Sequence, residues 1–168
     1  MNELDEAWSQ MLAGAIENAR EAGRGDVADF LALKRSNDEL RQSAVDWLFN
    51  SFIEIASEAN RRNSLVVIER EEPHEFQFNN AKMAGSLVRV RFGVRAILIE
   101  AGWTRLPSHG FMRGGALAAA RISHFGIPRA TDELILVRDD ETPAWNSVNG
   151  SRFDSQSLFE HFRLLLQN

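Results

Sequence analysis

The sequence predicts an α+β fold in a single domain: a helical N-terminal third, a mixed, mostly antiparallel sheet covered on both faces, and a C-terminal helix. Three observations lead there. Residues 65–68, 96–99 and 134–137 are four-residue apolar runs, too short for helices and apolar on both sides of a pleat. Residues 1–62 repeat their apolar positions every three or four residues, and so do residues 154–167.

The first helix follows from Leu4, Trp8, Met11, Leu12, Ala15, Ile16 and Ala19, which form one stripe, with Gly23 and Gly25 past its end. Asp26 opens a second helical stretch through Phe30, Leu31 and Leu33. Ser36 and Glu39 have capping-box spacing and suggest a restart, although one helix from Asp26 to about Arg61 also keeps phase. Within residues 44–59, apolar side chains cover nearly the whole circumference and leave only a narrow polar stripe. Such a helix is buried on several sides, inside the domain or against a second subunit.

Past Asn63 the period becomes two. Residues 65–68 form a strand, Pro73 interrupts it, and Phe76 and Phe78 alternate with polar residues in a half-exposed strand. Asn79 and Asn80 mark a turn, and Val88, Val90 and Phe92 alternate with Arg89 and Arg91. Residues 94–101 form a buried strand, 134–137 another, and 143–148 a short edge strand containing Trp145. Leu158, Phe159, Phe162, Leu165 and Leu166 define the closing helix, begun near Asp154. Residues 115–125 carry two patterns. Their alanines, followed by Gly126-Ile127-Pro128, match a capped helix, which is the expectation adopted; Arg121 to Phe125 alternate as in a strand.

With 168 residues, 44% hydrophobic and 26% charged, the chain has globular proportions. It has no cysteine, which excludes disulfides, thiolate metal sites and cysteine nucleophiles. Glu3, Asp5 and Glu6 make an acidic start where a signal peptide is basic, and no apolar run reaches membrane-spanning length, so a soluble cytoplasmic protein is expected. Seventeen arginines against two lysines point to a GC-rich bacterial genome. Charge is uneven: residues 1–63 carry a net −5, residues 64–131 a net +4 and residues 132–168 a net −4. The overall −5 speaks against duplex nucleic acid as a partner.

The candidate anion site lies in residues 102–115, with Arg105, Ser108, His109, Arg113, Gly114 and Gly115. It is a long connection, and long connections tend to be functional. If a helix begins at Gly114-Gly115, its free N–H groups and the two arginines suit a phosphate or carboxylate. The alternative is a surface excursion whose arginines pair with acidic residues. A secondary basic ridge joins Arg89, Arg91 and Arg95, with Glu69, Glu71 and Glu75 near enough to neutralise it across strands. Glu100 is expected to pair with an arginine such as Arg95, and His161 to be a packing residue with a satisfied ring. The four histidines have no metal-ligand spacing, no nucleotide or nucleophile-elbow motif occurs, and no cofactor is expected. The functional expectation is a binding or interaction module that self-associates as a twofold dimer, with a protein partner or, alternatively, a small anion at residues 102–115. Catalysis is left open.

Overall fold

The computed structural model describes residues 3–139 and 142–167. The chain is α+β, with, among the described residues, two N-terminal helices, α1 (Glu3–Glu21) and α2 (Gly25–Arg61), six strands, and a C-terminal helix α3 (Ser155–Leu166). The strands are β1 (Val66–Phe78), β2 (Ala81–Phe92), β3 (Arg95–Trp103), β4 (Ala118–His124), β5 (Ile127–Asp139) and β6 (Thr142–Ser147). They form one sheet in sequence order, every neighbour antiparallel, so the sheet is a meander and not mixed.

The chain packs as two compact units, Met1–Ser43 and Ala44–Asn168. In the first, α1 and the start of α2 form a helical hairpin that buries Leu12, Ile16 and Ala28. Trp8 Nε1 donates to Asp38 at 3.4 Å, and the Lys34 ammonium lies 5.3 Å from the same indole. There is no break at Ser36. α2 is continuous, because its favourable helix formers keep one phase and no proline interrupts it.

In the second unit, the last part of α2 supplies the core anchor. Val45, Leu48, Phe49, Phe52 and Ala56 are buried against Val88, Val90, Ile97, Ile99, Ile122, Leu134 and Leu136. Each large side chain so buried contributes roughly 1.5–3 kcal/mol. From α3, Leu158, Phe162 and Leu165 join the same cluster. Asp154 caps α3 by accepting from Ser157 N at 3.0 Å. Trp145, on β6, donates to the Ala44 carbonyl at 3.0 Å and ties the sheet's last strand to α2.

Two expectations about the sheet need correction. First, residues 118–124 are a strand, paired with β3 on one side and β5 on the other. Ala118, Ala120 and Ile122 are buried towards the helices, and Ala119 towards the other face. A central position between two strands outweighs alanine's helix propensity. Gly126 does take the left-handed conformation (φ 78°), but as part of the two-residue turn that pairs His124 with Ile127, not as a helix cap. A left-handed glycine serves either element, which is why the local signal misleads.

Second, among the described residues of the second unit, helices cover one face of the sheet, where the last part of α2 and α3 join its core. The other face is concave, filled in part by strand residues of its own. Leu65 precedes β1 and is 85% exposed, and Val67 is 48% exposed on the concave side. Pro73 does not end β1; it sits inside the register shift between Glu71 and His74, where its missing N–H breaks no ladder bond. Beyond that bulge, Phe76 and Phe78 are buried with Ala81, Met83 and Ala119 in a second small core.

The curl has a visible cause. Gly85 on β2 pairs with Gly102 on β3, and a Cβ on Gly85 would lie 1.9 Å from the Ala101 carbonyl oxygen. A Cβ on Gly102 would lie 2.5 Å from the Ala84 oxygen. Only two glycines let these backbones come so close, and the β1–β2 end bends over the concave face from there. Accordingly, Gly85→Ala and Gly102→Ala should each lower the free energy of unfolding by about 1–3 kcal/mol or more. Gly14→Ala, in an open position on α1, should stabilise by about 0.5–1 kcal/mol. Denaturant midpoints check both, and a wild-type midpoint for Gly85→Ala counts against the close-approach argument.

Candidate functional site

The curl brings side chains from separated strands together on the concave face. His74, on β1, reaches Glu100 on β3 with an Nε2···Oε1 distance of 2.7 Å. The same carboxylate faces Arg121 on β4 at 3.5 Å. The Arg121 Nη2 group donates to the Gln77 carbonyl at 2.8 Å, and its guanidinium lies 5.9 and 5.8 Å from the Phe76 and Phe78 rings. The arginine thus pairs one charge and stacks against two aromatic faces, holding the bent end of β1 over the sheet. Glu100 is therefore partnered by Arg121 and His74, not by Arg95. Counting along the strand could not reveal a partner that only the curl delivers.

Beside this network lies a cavity of about 500 Å³. Phe78, Asn79, Asn80, Ala81 and Met83 from the β1–β2 end form one wall, and Gly110, Phe111, Met112, Arg113 and Ala116 another. Ile135 and Val148 complete the lining. The loop is held against β5 by Leu117 N, which donates to the Leu136 carbonyl at 2.8 Å.

The predicted anion-site residues are distributed unevenly around this geometry. Arg113 lines the cavity. Arg105 instead stacks on Trp103, its guanidinium 3.9 Å from the ring. His109 Nδ1 accepts from Arg105 N at 3.2 Å, closing the loop on itself, and Ser108 is exposed within the 3-10 turn Pro107–His109. Gly114 and Gly115 have positive φ and end a second 3-10 turn, Arg113–Gly115, which leads directly to β4. No α-helix starts there, so the row of free N–H groups expected at Gly114-Gly115 is not formed. The basic ridge is also divided. Arg89 and Arg91 both pair with Glu69, at 3.4 and 3.3 Å. Arg95 pairs with Phe92 in the hairpin register and so falls on the opposite face. The two-residue turn at Gly93-Val94 shifts the alternation that a simple count carries through.

A second cluster sits on the helix side. His161, on α3, is buried and bonded at both nitrogens: Nε2 to Asp132 Oδ2 at 2.7 Å, and Nδ1 to His124 Nε2 at 2.8 Å. The carboxylate can only accept, so His161 Nε2 carries a proton and donates to Asp132. The two imidazoles stack, ring centroids 5.1 Å apart. His161 is a packing residue with a satisfied ring, as its place beside the α3 stripe suggests. His124 was not singled out, since its partner lies 37 residues away. Among the described residues, no group of three or more His, Asp or Glu is placed to hold a metal ion. No helix among them is long and apolar enough to cross a membrane.

Comparison with known proteins adds no relative: no family model, no curated protein and no solved structure matches this chain.

The histidine chain sets a pH dependence. Burial, reinforced by His161, lowers the His124 pKa from 6.5 to about 4. Asp132 lies below its ordinary value, chiefly because His161 donates to it. Above pH 6.5, His124 is neutral both folded and unfolded. Between about 6.5 and 4, the unfolded chain takes up a proton that the native state refuses, so stability falls as pH falls. The loss should reach about 2–3 kcal/mol near pH 4, with the Asp132 contribution lost at still lower pH. Urea unfolding across that range measures it, and His124→Gln, which keeps a hydrogen-bonding group for His161, should flatten the slope.

Proposed function

We propose that this protein is a small-ligand-binding module that works through the concave face of its sheet. The observation that carries this reading is the cavity of about 500 Å³ between the curled β1–β2 end and residues 110–116. Its size lies within the range of about 300–1,000 Å³ usual for small-molecule sites, and its lining is mostly apolar with a few polar groups. Binding is favoured over catalysis because the partly buried His74 and Arg121 of this face are both occupied with Glu100. The arginine bias and the lack of cysteine suit a bacterial cytoplasmic setting. Ala116 is buried in the cavity wall, so Ala116→Phe should fill the space while leaving the circular dichroism spectrum unchanged. A thermal-shift screen of small metabolites should give hits on the wild type that vanish in that variant. Hits that persist unchanged in the filled variant place binding elsewhere.

A second reading, self-association as a twofold dimer, has its own support in the N-terminal hairpin. Leu4, Trp8, Met11 and Ala15 are all exposed on α1, at the alternating four- and three-residue spacing of a helix-packing seam. Phe30 and Leu33 are exposed on the neighbouring stretch of α2. The apolar residues of 44–59 that first suggested a partner largely pack within their own unit, so the case rests on the hairpin. Light scattering at tens of micromolar should report a dimer, and Leu4→Glu with Met11→Glu should return it to monomer. A wild-type monomer at that concentration removes this reading.

A further inference from the structure

We infer that the ligand of the concave cavity is an amphipathic monocarboxylate, its apolar chain inside and its carboxylate on Arg113; this rests on the binding role proposed above. Arg113 is the charged side chain in the lining among the described residues. Its guanidinium has no ion-pair, hydrogen-bond or ring partner among them, whereas Arg89, Arg91 and Arg121 each face a glutamate. Arg105, from the same loop, is taken up by Trp103. Among the described residues, no carboxylate lines the cavity to compete for Arg113. A guanidinium presents a planar fork that matches a carboxylate with two parallel N–H···O bonds. One such fork fits one carboxylate. A phosphate dianion calls for further cations, and the lining offers none among the described residues.

The rest of the wall specifies the other end of the ligand. Phe78, Met83, Met112 and Ile135 present apolar surface, and the two methionines are unbranched side chains that adjust to irregular shapes. A flexible alkyl chain is the complement to such a surface. The polar Asn79 and Asn80 lie at the turn on the cavity's edge, where a partly hydrated head group would sit.

Isothermal titration of the full chain with octanoate, 1-octanol and acetate tests this. Octanoate should bind about tenfold tighter than 1-octanol, the low end of the range for a charge-assisted hydrogen bond because Arg113 is exposed. Acetate should bind at least tenfold more weakly than octanoate, since it lacks the chain. Arg113→Gln should bring octanoate down to the level of 1-octanol and leave 1-octanol unchanged, with Arg113→Lys recovering part of the difference. Added salt should weaken octanoate but not 1-octanol. If 1-octanol binds as well as octanoate, the cavity is a binding site but the carboxylate assignment is wrong. If octanoate binding ignores Arg113→Gln, Arg113 is not its counter-ion and the inference is overturned. If no probe with an alkyl chain binds, the inference and the binding role both fall.

Discussion

The contact between Gly85 and Gly102 is the constraint on which the concave face depends. An antiparallel sheet of six strands in sequence order would otherwise twist gently and keep β1 far from β3 and β4. With no Cβ on either glycine, the β2 and β3 backbones come together closely enough that any side chain there would overlap a carbonyl group. The bulge between Glu71 and His74 adds local bend on the neighbouring strand. These two features together carry the end of β1 over the sheet, so that His74 meets Glu100 and Arg121 meets Phe76, Phe78 and the Gln77 carbonyl. The cavity is the space left beneath that bend and beside the loop that follows β3.

The two faces of the sheet solve the problem of buried polar groups differently. On the helix face, the chain Asp132–His161–His124 links β5, α3 and β4 with every named nitrogen paired, and burial keeps His124 neutral. A fully bonded chain is compatible with an apolar core. On the concave face, Glu100 and Arg121 are only partly buried, and each has more than one partner. Charges there retain contact with solvent, so the pairing fixes geometry more than it adds stability. Arg113 differs from both groups: it stands at the cavity without a partner among the described residues. An exposed arginine without a partner is common; one on a mostly apolar lining is what gives the cavity a polarity.

Local signals gave the sequence reading of residues 102–125 its error and its success. Glycine followed by isoleucine and proline marks a left-handed turn, and Gly126 makes one. Whether that turn caps a helix or joins two strands depends on whether neighbouring strands offer partners to residues 118–124, and β3 and β5 do. The loop itself was legible as an unusual segment from its length. Of its two arginines only Arg113 reaches the cavity, because Trp103 draws Arg105 aside.

By itself, the sequence determined the class of the fold, the positions of α1, α2 and α3, and the apolar runs that became the buried parts of β3 and β5. Those features rest on periodicity and composition, which act over a turn of helix or a few residues of strand. Only the tertiary structure decided that residues 118–124 join the sheet, that Arg95 turns away from Arg89 and Arg91, and that Glu100 takes Arg121 and His74 as partners. It also decided that Phe76 and Phe78 are buried and that Arg113 borders a cavity. Each of these turns on strand pairing or sheet curvature, which bring together residues as far apart as His74 and Glu100, 26 positions, or Gln77 and Arg121, 44 positions. No local spacing encodes such a meeting, because the hydrogen bonds and close approaches that create it exist only once the sheet has formed.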